Sequence, residues 1–126
     1  PQNFAQWLIS TILSGQSVKI IKDEISSPII ADDFANSILY LINNDLEGLF
    51  HSSPNNNISR YEFSVQMIKH LNLDSSLIHP TTINELGRKV NTGNNKSLNS
   101  LKLQKKGFKF MSMKESFELL KNQINK

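Results

Sequence analysis

The sequence predicts an α/β fold, rich in helix, with a few short and mostly parallel strands. Three observations carry this reading. Apolar residues recur at helical spacing in several segments. Short β-branched runs alternate with those segments, so each strand is separated from the next by a crossover, as parallel pairing requires. The 126 residues, only 38% of them apolar, suffice for one domain or a piece of one with a lean core.

Phe4, Trp7, Leu8 and Ile12 follow helical spacing from Asn3 to Leu13, and Gly15 is placed to end that helix. Val18, Ile20 and Ile21 form a strand with Lys19 and Lys22 interleaved. Ser26, Ser27 and Pro28 break the chain, Ile29 and Ile30 run extended, and Asp32 or Asp33 caps a helix whose Phe34, Ile38, Leu41 and Ile42 share one face. Leu49, Phe50 and His51 read as a second strand, followed by a polar loop from Ser52 to Asn57. Ser59 and Glu62 have capping-box spacing before a helix to about Leu71, and Thr82 with Glu85 repeats that spacing before a short helical turn ending near Gly87. Asn99 caps a short helix that Gly107 ends. Ser112 and Glu115 open the last helix, with Met113, Phe117, Leu120 and Ile124 as its stripe.

Several chemistries are missing. With no cysteine there is no disulfide, thiol nucleophile or thiolate metal site, and a reducing cytoplasm fits. His51, His70 and His79 have no metal-ligand spacing, and His51 reads as structural. No glycine-rich phosphate turn, Gly-x-Ser-x-Gly elbow or Tyr-x-x-x-Lys pair occurs: four residues after Tyr40 and Tyr61 stand Asn44 and Val65. No apolar run is long enough to span a membrane. The net charge of +3 hides a split of −5 over residues 1–86 and +8 over residues 87–126. Such a basic end attracts nucleic acid, an acidic partner or a phosphorylated small molecule. Nucleic acid is the weakest of these, because the chain has two arginines and few aromatics beside its lysines.

The order of segments resembles a known family. Asn3-Phe4 opens a helix with Trp7; a strand runs into Asp23-Glu24-Ile25-Ser26-Ser27-Pro28; Ala31-Asp32-Asp33-Phe34-Ala35 starts the next helix. Gly48-Leu49-Phe50-His51 precedes Ile58-Ser59-Arg60-Tyr61-Glu62-Phe63, and Ser97-Leu98-Asn99 precedes Lys102-Leu103. This resembles the C-terminal, substrate-binding portion of the dTDP-4-dehydrorhamnose reductase family, within the extended short-chain dehydrogenase/reductases. The resemblance implies that residues 1–126 are a substrate-binding domain fragment, beginning at Pro1 downstream of a Rossmann cofactor domain absent from this chain. The longer protein would be a cytoplasmic NAD(P)-dependent reductase or epimerase reducing a 4-keto deoxysugar nucleotide, as in rhamnose biosynthesis. The fragment would bind no cofactor or metal and be inactive alone. Its partners would be the nucleotide-sugar substrate and the upstream Rossmann domain, with a homo-oligomer allowed and no membrane.

By the same resemblance Asn3, Ser26 and Ser27 would border the substrate, and the loop from Lys89 to Ser97 would lie over its diphosphate, where Arg88, Lys89 and Lys96 supply cations. A plainer reading stands beside each: Asn3 as a helix cap, Ser26 and Ser27 as turn formers, Trp7 as core. The sequence also departs from the family. Glu24 stands where Asp-Gln is frequent, Pro28-Ile29 where Pro-Thr is, and Thr92-Gly93 replaces an Arg-Pro pair. Losing that arginine removes a bidentate phosphate grip that lysines replace only as point charges. A non-catalytic regulatory module, like the methionine adenosyltransferase beta subunit that resembles the same family, is therefore the alternative.

Overall fold

A computed structural model of the chain describes residues 2–87 and 93–125. The chain forms two compact units, Pro1–Ile25 with Ile58–Asn95, and Ser26–Asn57 with Lys96–Lys126.

The first unit contains helix α1 (Phe4–Leu13), strands β1 (Val18–Ile21) and β4 (Ile78–Thr81), and helix α3 (Arg60–His70). β1 and β4 pair in parallel, with Val18 opposite Ile78 and Ile21 opposite Thr81. The Lys22 amide extends the ladder by donating to the Thr81 carbonyl at 2.9 Å. A parallel pair needs a crossover, and α3 supplies it while packing against both strands and α1. Leu8, Ile9 and Ile12 of α1, Ile20 and Ile21 of β1, Met67 and Ile68 of α3 and Ile78 of β4 are buried. Full burial of each such side chain stabilises by about 1.5–3 kcal/mol, so this set is the main apolar core. Trp7 is not in it: 40% of its surface is open, because the helix turns Leu8, Ile9 and Ile12 inward and leaves position 7 on the outer side.

The helix starts follow the expected chemistry. Asn3 Oδ1 accepts from the Gln6 amide at 2.9 Å, and Gln6 Oε1 accepts from the Asn3 amide at 3.3 Å. Ser59 and Glu62 make the same reciprocal pair at 3.1 and 3.3 Å. Between residues 82 and 87 the Thr82–Glu85 bonds form, at 3.0 and 3.2 Å, but close a turn rather than a helix. Strand β4 goes beyond the sequence reading because Pro80 interrupts its ladder; an edge strand tolerates proline where the missing amide would face away from its partner. Asp74 caps a 3₁₀ turn, Ser75–Leu77, that leads into it. Two-residue strands β2 (Ile25–Ser26) and β3 (Ile58–Ser59) pair where the chain leaves and re-enters this unit.

The second unit holds α2 (Ala31–Asn43), α4 (Leu101–Lys105) and α5 (Met113–Ile124). Helix α2 is capped at Ile30, two residues before Asp32 and three before Asp33, with no side-chain cap bond; Asp32 and Asp33 fall in its first turn, where their charge favours the helix dipole. The apolar face of α2 is turned outward. Asp33 and Ser37 are the buried residues of α2, while Phe34 is 45% and Ile42 64% exposed, with Ile38 and Leu39 open beside them. Leu49, Phe50 and His51 form no strand, since no described segment pairs with them; instead Lys102 Nζ donates to the Leu49 carbonyl at 2.7 Å and His51 Nδ1 lies 3.2 Å from the Asn99 carbonyl oxygen. Asn99 Oδ1 accepts from the Leu101 amide at 2.9 Å, although Ser100 occupies the cap position of α4. Along α5 the Ser112–Glu115 capping box forms, and Phe117 is the buried residue of its stripe.

Polar contacts hold this unit together. Asp33 Oδ2 accepts from the Met111 amide at 3.0 Å. Tyr40 Oη donates to the Lys106 carbonyl at 2.7 Å, next to Gly107 at φ +102°, where an added Cβ would stand 2.6 Å from that oxygen. Tyr40 and Phe108 meet edge to face at 5.4 Å. Burial raises the Asp33 pKa above its ordinary 3.8, opposed by the Met111 hydrogen bond and reinforced by Glu115.

Ile68→Ala should cost about 2–5 kcal/mol in urea unfolding, whereas Leu49→Ala, at a site 79% exposed, should stay within about 0.5 kcal/mol. Because folded Asp33 holds its proton more tightly than the unfolded chain does, its contribution to stability falls as pH rises from 3.8 through the raised value. Asp33→Asn keeps an acceptor for the Met111 amide and removes that slope, so the urea midpoint of the variant should gain on the wild type as pH increases over this window.

Candidate functional site

Four of the five residues singled out by the resemblance are described, and they fall in both units. Asn3 belongs to the first unit and caps α1, so its Oδ1 is occupied by the helix. Next to it in sequence is Phe4, which links a cluster of Trp7, Arg60 and Glu24. The Phe4 and Trp7 ring centroids are 5.8 Å apart. The Arg60 guanidinium lies over the Phe4 ring at 4.9 Å and contacts Glu24 Oε1 through Nη2 at 3.3 Å. Glu24 is buried, and its carbonyl also accepts from the Arg60 amide at 3.2 Å. A buried carboxylate requires a partner, and the capping box at Ser59 that starts α3 sets Arg60 in place to provide one. This cluster escapes a pattern search because its residues are distant in sequence and Arg60 reads there as an ordinary surface residue after a cap.

Ser27, in the second unit, ties three segments together. Its Oγ donates to Asn57 Oδ1 at 2.8 Å and accepts from the Leu98 amide at 3.3 Å, while its carbonyl accepts from Ser53 Oγ at 3.1 Å. Ser100 Oγ in turn donates to the Ser53 carbonyl. The corner Ser26-Ser27-Pro28 and the Ser97-Leu98 stretch, linked by the resemblance alone, are thus joined by hydrogen bonds. Ser26 is half-buried at the end of β2, and Lys96 is exposed two residues before Leu98. Lys89 lies outside the described residues, as do Arg88 and Thr92.

The second unit also has an open cavity of about 560 Å³ lined by Pro54, Asn55, Phe108, Lys109, Phe110 and Glu115, among others. No catalytic pair faces it. Tyr40 and His51 are engaged with backbone carbonyls. Among the described residues no cluster of histidine and carboxylate side chains has the arrangement of a metal site, and no helix is long and apolar enough to cross a membrane. A dinucleotide pyrophosphate requires glycines where a strand turns into a helix start. Gly15, Gly48 and Gly107 instead come after helices, and no turn of that kind occurs among the described residues.

Known proteins share this architecture. A family model described as the RmlD substrate binding domain matches residues 1–125. The probable low-salt glycan biosynthesis reductase Agl14 of Haloferax volcanii is 26% identical over 85 residues, which is 68% of this chain and 28% of that protein. The spore coat polysaccharide biosynthesis protein SpsK of Bacillus subtilis is 26% identical over 88 residues, covering 70% of this chain and 30% of SpsK. A dTDP-4-dehydrorhamnose reductase from Clostridium acetobutylicum superposes with a TM-score of 0.89 at 22% identity, over 100% of this chain and 45% of its own. The same enzyme from Bacillus anthracis, in complex with NADP, gives 0.83 at 24% identity, over 94% and 42%. The chain spans less than half the length of these relatives, and its fold is theirs.

Ser27→Ala deletes a donor and an acceptor at once. It should lower stability by about 1–2 kcal/mol in urea unfolding and speed hydrogen exchange at the Leu98 amide, which loses its acceptor.

Proposed function

The chain belongs to the RmlD substrate binding domain family, and on that premise we propose that it forms the sugar-nucleotide side of a cytoplasmic NAD(P)-dependent reductase acting on a nucleotide-linked 4-keto deoxysugar. The family match over residues 1–125 carries the reading. The names of the relatives support it, since two are dTDP-4-dehydrorhamnose reductases and a third is a reductase of glycan biosynthesis. On this reading Asn3, Ser26, Ser27, Lys89 and Lys96 border the ligand. With Oδ1 committed to the helix, Asn3 would offer its Nδ2 donor; Lys89 and Lys96 would meet the diphosphate as point charges. The task of these residues is to bind and orient the sugar nucleotide, and the hydride comes from a cofactor held elsewhere.

A cofactor-binding half is the proposed occupant of the apolar stripe of α2. Relatives more than twice as long as this chain supply such a half, and Phe34, Ile38, Leu39 and Ile42 are open to receive it. Leu49-Phe50-His51 would then find the strand partner it lacks among the described residues and extend the sheet of that half.

Calorimetric titration with a dTDP-linked 4-keto deoxysugar tests the function. Saturable binding that weakens with salt, reduced about two- to fivefold in Lys96→Ala, is expected. Tight and steeply salt-dependent binding of a DNA oligomer with no response to the sugar nucleotide would contradict it. Absence of both would favour the non-catalytic module, for which the replacement of Arg-Pro by Thr92-Gly93 already speaks.

A further inference from the structure

We infer that Arg60 is the anion grip of this chain, a guanidinium held in place by Glu24 and Phe4 so that its open donors take the diphosphate of a nucleotide ligand. The inference rests on the reading above and gives it a specific residue. The chain has two arginines, and Arg60 is the one among the described residues. A guanidinium carries five N–H donors in a planar fork that matches phosphate oxygens two at a time. Here one Nη faces Glu24 Oε1 at 3.3 Å, one ring supports the group at 4.9 Å, and 41% of the side chain stays open. The backbone is fixed as well, because the Arg60 amide donates to the Glu24 carbonyl at 3.2 Å. Held at both ends, the side chain loses little freedom when an anion arrives.

The position suits the ligand. Phe4 directly follows Asn3, the residue that the family resemblance sets beside the substrate, and the Arg-Pro arginine expected in the loop is replaced by Thr92-Gly93. Arg60 would supply a bidentate donor of the kind that pair provides. The plainer role is that of counterion to buried Glu24, and the experiment must separate the two.

The probes are dTDP and inorganic pyrophosphate, titrated into the chain while following the emission of its single tryptophan, Trp7, whose ring lies 5.8 Å from that of Phe4. Arg60→Gln should weaken both ligands by at least about tenfold, and Arg60→Lys should fall between. Arg60→Gln alone removes the cation from beside a buried carboxylate and risks unfolding, so the double variant Glu24→Gln/Arg60→Gln is measured too. It should recover the thermal midpoint while keeping the weak affinity. A folded double variant that binds dTDP like the wild type would overturn the inference and leave the nucleotide-sugar reading standing. Arginine-dependent binding of pyrophosphate with no preference for dTDP would support the grip and remove that reading. A wild-type chain that binds neither probe overturns both.

Discussion

The apolar stripe of α2 is the constraint around which the second unit is organised. Phe34, Ile38, Leu39 and Ile42 are open, and the side of the helix that faces its own unit carries Asp33 and Ser37. A helix normally buries its apolar side and wets its polar one. The reversal makes the second unit depend on hydrogen bonds for cohesion: Asp33 to Met111, Tyr40 to Lys106, Ser53 to Ser27 and Ser100 to Ser53. Among the described residues its buried apolar ones are Leu103 and Phe117, whereas the first unit buries eight. A face of this size has a purpose when another layer of protein covers it, and a cofactor-binding half is the layer proposed.

The same polar network shapes the candidate site. Buried hydroxyls are tolerated only when each finds a partner, and Ser27, Ser53 and Ser100 satisfy one another's segments in sequence. The result fixes the Ser26-Ser27-Pro28 corner against the stretch before α4 through the Leu98 amide. In the first unit the corresponding device is ionic and aromatic. Buried Glu24 draws Arg60 over Phe4, and the geometry of α1 and α3 at their capped starts makes that approach possible. Both arrangements hold polar groups in fixed places, which is what the proposed sugar-nucleotide ligand would demand.

Local signals made much of the fold legible. Capping boxes at Ser59 and Ser112 and the β-branched run at Val18 mark elements that form where expected, since caps and strand propensity act over a few residues. What the sequence could not reveal depends on partners distant along the chain. Strand β4 exists because β1 pairs with it despite Pro80; Leu49 to His51 lacks a strand for want of a neighbour; Asp33 is buried because Met111, far along the chain, needs an acceptor. Periodicity located the apolar stripe of α2 correctly but could not say that it points outward, nor that Trp7 lies off the core of α1. The corner at Ser26-Ser27 was recognisable through family resemblance, and the Glu24–Arg60–Phe4 cluster emerged only from three-dimensional proximity.

Amide hydrogen exchange along α2 is the most direct measurement, compared between this chain alone and a longer protein in which the proposed cofactor-binding half is joined to it. The account predicts that α2 amides slow by orders of magnitude in the longer protein, because covering the stripe of Phe34, Ile38 and Ile42 ties local opening to global unfolding, while the already buried α3 changes little. Equal exchange of α2 in both would show that nothing covers this face and would contradict the account.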